Sequence, residues 1–251
     1  YEANAPSSAP VLVTDSGLTA DTTSSLIGRY RTSRSARVNM LLGLRRVRFV
    51  RVTGFDALNG PQDLRIGTQL GLTVGHSLPA SRGIARNEKY VSANLYFGVG
   101  GTRSYAAVQA DLEGRQSQET KGWDDVLTSG RLAWYLKPHP RHLLSADLTW
   151  GGGWSARIPY QLDLGARRGG LRGYDDVELG GARRVITRIE ERWRIGNFRG
   201  TADAGVGVFT DFGRVWAGDV PLGLNSGFRQ SVGLSLMAAV PPRSQRMWRL
   251  D

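Results

Sequence analysis

One arginine and two carboxylates carry the chemistry that this sequence offers. Arg172 stands in the tetrad Leu171-Arg172-Gly173-Tyr174, inside a stretch rich in Gly and Arg. Glu190 and then Asp211 follow, each within a run that alternates apolar and polar residues. A guanidinium is a planar fork of donors, and carboxylates fill it in charge-assisted pairs. An arginine on a loop, followed by two strands that each aim an acid the same way, predicts a loop pinned inside a barrel. Gly173 is expected to let the backbone approach closely. Tyr174 is expected to stack or hydrogen-bond at the loop tip. The plainer alternative makes Arg172 a solvated loop residue and the two acids ordinary lumen lining.

The remaining reactive groups point away from catalysis. His76, His139 and His142 lack metal-ligand spacing, and surface positions are expected for them. Ser145 and Asp147 fall near His142 but share its strand, a poor basis for a nucleophile, base and acid set. Gly98-Val99-Gly100-Gly101 reads as a strand end with a turn, because no helix follows to make a phosphate site. Asp175-Asp176 could hold a cation with loop backbone, or be solvated acids. The expectation is a protein without enzymatic activity, cofactor or metal.

The elements that position these residues read as strands. In 64–74, Leu64, Ile66, Leu70, Leu72 and Val74 share one face, and Arg65, Gly67, Gln69, Gly71 and Thr73 the other. The same period of two runs through 91–99, 105–113, 131–136, 143–150 and 231–238. In 183–195, Ile186, Arg188, Glu190, Arg192 and Arg194 oppose Val185, Thr187, Ile189, Trp193 and Ile195. In 199–213, Asp203, Gly205, Gly207, Asp211 and Gly213 oppose Ala202, Ala204, Val206, Val208 and Phe212. Segments 24–32, 38–53 and 157–165 also read as strands, less cleanly. No amphipathic helix stands out. Residues 1–23, rich in Ser, Thr, Ala and Pro, read as a linker or extracellular loop. Residues 24–251 read as the β-domain, with the tetrad on a loop over 166–180.

The apolar faces run for the 9–11 residues that a tilted strand needs to cross a bilayer. The opposite faces are small and polar, as in a lumen, whereas a sandwich facing water would favour Lys, Glu and Thr. Trp134, Trp150, Trp193 and Trp216 near strand ends suit an interfacial girdle; core packing is the alternative. The chain has no cysteine, so it has no disulfide framework. No apolar run is long enough for a membrane helix. The net charge is +11. Lys89, Lys121 and Lys137 are the only lysines, so the basic side chains are almost all arginine. Arginine suits lipopolysaccharide phosphates or a basic lumen; compositional bias of the genome is the alternative. The arginines are scattered without a nucleic-acid-binding pattern, so no nucleic-acid partner is expected.

From about residue 165 to the end, the chain resembles the C-terminal barrel region of the BamA/TamA/FhaC superfamily of outer-membrane insertases and translocases. The resemblance rests on Leu171-Arg172-Gly173-Tyr174 against a Val/Ile-Arg-Gly-Phe/Tyr loop tip. It rests further on Gly180-Gly181 with Glu190, on Phe209, Asp211, Gly213, Val215 and Trp216 of the following strand, and on a later strand over 228–240. It implies a transmembrane antiparallel β-barrel of the 16-stranded outer-membrane type, with Arg172 docked on Glu190 and Asp211. About eleven or twelve strands are legible, and 244–251 would be a shortened fifteenth, so an incomplete piece of a longer barrel is expected. The implied activity is insertion or secretion of client polypeptides through the outer membrane of a Gram-negative bacterium. The implied partners are outer-membrane lipid, lipopolysaccharide, client polypeptides and accessory envelope proteins. The alternative is a structural or pore-forming barrel, or a subunit of an envelope complex, without insertase activity.

Overall fold

A computed structural model describes residues 2–4, 11–14, 17–20, 33–78, 87–118, 121–158, 160–174, 180–221 and 223–251; before Ser35, and at Arg168, it describes the backbone alone. The described residues are all-β, and their one helical element is a 3-10 turn at Ala166–Arg168. Four short strands come first: β1 (Glu2–Asn4), β2 (Val11–Thr14), β3 (Gly17–Ala20) and β4 (Ser33–Ser35). β1 pairs with β4, and β2 with β3. The stretch read as a linker or loop thus holds three of these strands. Segment 24–32, read as a strand, lies outside the described residues.

The main sheet has ten antiparallel strands. They are β5 (Arg37–Thr53), β6 (Pro61–Ser77), β7 (Glu88–Gly100), β8 (Ser104–Ser117), β9 (Trp123–His139), β10 (His142–Trp154), β11 (Arg183–Phe198), β12 (Ala202–Trp216), β13 (Arg229–Ala239) and β14 (Trp248–Leu250). Each pairs with its sequence neighbour, from β5 at one edge to β14 at the other. Turns at one rim are short, while the other rim carries the long β10–β11 connection. Among the described residues β5 and β14 do not pair, so the sheet is not closed into a barrel, and it has ten strands rather than sixteen.

The sheet is nonetheless rolled. Laid flat, β6 and β13 would stand about 34 Å apart, at about 4.8 Å per strand spacing. Yet Leu58, in the turn between β5 and β6, packs with Met237 and Ala239 of β13. Gln245 Nε2, beyond β13, donates to the Pro61 carbonyl at 2.9 Å. The two edge hairpins therefore meet at the short-turn rim although the edge strands stay unpaired.

Alternation sorts the faces as the residue types require. Val232 and Leu234 of β13 are 74% and 71% exposed, while their neighbours Ser235 and Met237 are buried. On β9, Leu132 is exposed while Ala133 and Tyr135 are buried. Large apolar residues point out of the roll, and small, polar or aromatic ones line its interior.

Two expectations need correction. Leu64 and Ile66 do not share a face with Leu70 and Val74: the first two are 6% and 7% exposed, the last two 44% and 40%. The strand turns over at Gly67, whose φ of +116° a side chain would strain. Beyond it, the tip of the β5–β6 hairpin folds into the interior. There Val52, Phe55, Leu64 and Ile66 pack with Tyr105, Ala133, Tyr135 and Leu143. Segment 157–165 is not a strand. β10 and β11 pair directly with one another, from His142↔Trp193 to Gly152↔Arg183, and leave no edge between them for another strand. Only an isolated bridge, Leu162 with Gly181, forms there.

Candidate functional site: the lumen lock

The β10–β11 connection folds back inside the roll. Its underside is apolar: Leu164 and Leu171 bury against Ile186 of β11 and Val215 of β12, with Tyr174 at the margin. Burying such side chains contributes about 1.5–3 kcal/mol each. Gly213 makes the approach possible, since a Cβ there would sit 3.0 Å from the side chains of Leu164 and Leu171. The loop bonds to itself, with Ala166 N–H donating to Tyr174 O and Leu171 N–H to Leu164 O, both at 2.9 Å.

Arg172 then lies between the two acids. Its Nε and Nη2 donate to Asp211 at 2.8 and 2.5 Å, and its backbone N–H reaches the same carboxylate at 3.1 Å. Its Nη1 donates to Glu190. The guanidinium carbon stands 3.6 Å from the Phe209 ring centroid, which adds a cation–π contact. Asp211 is wholly buried and Glu190 nearly so. Burial works against the charge on Arg172, but the hydrogen bonds it donates to Asp211 and Glu190 outweigh it and raise its pKa. A charge this dry is tolerated because it is paired and hydrogen-bonded to both carboxylates.

The neighbours of Arg172 differ in role. Tyr174 Oη donates to the Gln230 carbonyl at 3.1 Å. Gly173 does not serve close approach: a Cβ there would meet nothing within 4 Å. What it supplies is a φ of +77°, which turns the tip. Asp175 and Asp176 lie outside the described residues.

The inward face of β11 holds more than sequence reasoning found. Arg184 Nη1 donates to Asp163 O at 2.7 Å, and Arg188 Nη2 to Gly169 O and Gly170 O at 2.6 and 2.7 Å. Both grip loop carbonyls. Below Glu190, Arg192 Nη1 donates to Phe55 O at 2.9 Å, and Arg194 pairs with Asn59. Those grip the β5–β6 hairpin. Glu190 also receives Arg192 Nε and two donors of Arg249 from β14, at 2.9 and 2.6 Å. Alternation already put Arg188, Arg192 and Arg194 on the lumen face; only the fold shows which backbone segments they hold.

A second anchor was missed entirely. Arg157 pairs through both terminal nitrogens with Glu88 of β7, and through Nε with Asp124 of β9 at 3.1 Å. Its backbone N–H donates to Asp125, which also takes Arg115. The long loop is thus tied to β7–β9 at its start and to β11–β12 at its tip. Sequence gave no signal, since Arg157 falls in a segment that reads as a strand.

The triad candidates are not brought together. Ser145 Oγ donates to the Glu190 carbonyl at 3.4 Å, Asp147 pairs with Arg131, and His142 lies 4.0 Å from Glu191. His142 instead stacks edge-on with His139 and Trp193.

No family model, curated protein or solved structure matches this chain.

Proposed function

We propose that the chain is a region of an outer-membrane β-barrel of the insertase and translocase type. It works by physical remodelling and not by chemistry. The observation that carries this reading is the joining of an outward apolar belt to an inward loop locked by Arg172 on Glu190 and Asp211. A rolled sheet with apolar residues outside and arginine–carboxylate networks inside suits hydrocarbon around it and water within it.

Tryptophan placement supports the same reading. Trp193 stands near the short-turn end of β11, and Trp216 near the long-loop end of β12, where it pairs with Arg183. The ten residues from Arg183 to Trp193 cover about 33 Å along the strand. At the tilt of such barrels this is about 25 Å of height, the thickness of an apolar band between aromatic girdles.

The open edge supplies the mechanism. β5 presents a long edge whose N–H and C=O groups face no partner strand among the described residues. Val38, Met40, Leu42 and Leu44 on it are exposed. A client hairpin or polypeptide would add to a weakly closed seam by strand pairing. The locked loop would hold the lumen in shape meanwhile. Partners would be outer-membrane lipid, lipopolysaccharide phosphates against exposed arginines, client polypeptides and accessory envelope proteins. A lumen filled from both ends argues against a permanently open channel.

The test is reconstitution in liposomes with an unfolded outer-membrane barrel as client. Faster client folding with wild type than with Arg172→Ala is the expected result. Ion conductance with no effect on client folding would favour the pore-forming alternative.

A further inference from the structure

The interior is filled from both rims, and the two fillings meet on one carboxylate. From the long-loop rim comes the tip bearing Arg172, whose Nη1 rests on Glu190. From the short-turn rim comes the β5–β6 hairpin, whose Phe55 and Asp56 carbonyls are held by Arg192. Arg192 is itself oriented by Glu190 through Nε. From the sheet edge comes Arg249 of β14, with two donors on Glu190 and one on Ser235 at 2.6 Å.

We propose that Glu190 is the common latch of three movable parts: the long loop, the inward hairpin that caps the short-turn mouth, and the edge strand beside the open seam. Away from Glu190, the long loop rests on β11 and β12, while the hairpin and the edge strand both touch β13. Arg172 keeps Asp211 when Glu190 is lost, and Arg249 keeps Asp251. Among the described residues, Arg192 then keeps only the two hairpin carbonyls. Among the described residues, Glu190 is therefore the one group that bonds an arginine anchoring each of the three parts, so its neutralisation weakens all three at once. It would turn separate local openings into a single event that clears both mouths of the lumen and frees the seam strand.

The hairpin is a distinct part of the interior filling. It bends away from the sheet at Gly67, and polar contacts hold its margins: Tyr135 Oη donates to Asp56 at 2.6 Å, and Lys137 to Thr53 O. Its Phe55 also buries against Tyr135 and Leu143, so opening the hairpin exposes that cluster as one local unit.

Hydrogen exchange on the full chain folded in detergent tests the latch. Glu190→Gln should raise exchange at 54–60, 164–174 and 248–250 together, by about tenfold or more, while β8 stays protected. Asp211→Asn should raise exchange at 164–174 alone, and Arg192→Ala at 54–60 alone. A Glu190→Gln protein that loosens only 164–174 overturns the proposal. So does a uniform rise that includes β8, because a latch acts locally. If Glu190→Gln does not fold, Glu190→Asp, which keeps the charge and retracts it, should give the same three-segment pattern at smaller amplitude; protection there equal to wild type overturns the proposal as well.

Discussion

Arg172 closes on Asp211 across 39 residues of chain with three donors, two from the guanidinium and one from its own backbone. One wholly buried acid thus fixes both the side chain and the main chain of the loop tip. A lysine could not copy this, because a point charge lacks the fork.

Removing Arg172 strands that acid. Arg172→Ala should destabilise the fold by about 3–5 kcal/mol, most of it the cost of an unpaired buried charge. Combining it with Asp211→Asn removes the stranded charge, so the double variant should lose clearly less than the sum of the two single losses. Urea unfolding of the four proteins measures this. Strict additivity would show that the two residues do not share an interaction.

The second anchor should behave in the same way at the other end of the loop. Arg157→Ala, which leaves Glu88 buried alone, should also cost about 3–5 kcal/mol. It should loosen 155–165 while Arg172 stays docked. Exchanging the pair, Arg157→Glu with Glu88→Arg, should recover part of the loss; no recovery in urea unfolding would count against direct pairing.

Two of the close-approach glycines should differ. A Cβ at Gly98 would sit 2.4 Å from the Arg65 carbonyl, a backbone atom in the inward hairpin. Gly98→Ala should therefore push the hairpin out and cost about 1–3 kcal/mol. At Gly213 the neighbours are the flexible ends of Leu164 and Leu171, which can give, so Gly213→Ala should cost less. Thermal shifts of gel mobility rank the two, and the reverse order would deny the hairpin its place inside the roll.

Leu171 is wholly buried under the loop. Leu171→Ala should cost about 2–5 kcal/mol through the cavity it leaves. It should also weaken the lock, since the tip then lacks its apolar footing. A loss under about 1 kcal/mol in the same assay would mean that the loop is held by its charges alone.

Much of this was legible in the residues and some was not. Period-two alternation assigned the outward faces of β7 to β13 because those strands each keep one environment along their length. It failed on β6, where Gly67 turns the strand over, since parity carries no mark of where a backbone turns. It failed on 157–165, whose Ile158, Tyr160, Leu162 and Leu164 alternate like a strand but meet no free edge. The contacts of Arg172 follow from loop order and inward parity. Those of Arg157 with Glu88 join segments far apart in sequence, and nothing local marks them. Incompleteness was read from the number of strands alone, because an edge strand has the same pattern as a paired one.

If the outward face meets lipid and the inward face does not, spin labels on the two faces of β13 must differ in their access to lipid-soluble and water-soluble relaxants. The chain has no cysteine, so single thiols can be placed at will. Nitroxide labels at Leu234→Cys and Ser235→Cys, neighbours on β13 with opposite exposure, would be compared in liposomes. The label at 234 should be relaxed strongly by oxygen, which partitions into lipid, and hardly by a water-soluble nickel chelate, while the label at 235 is shielded from oxygen. Strong relaxation of the 234 label by the chelate would contradict lipid contact and make this a soluble β-protein.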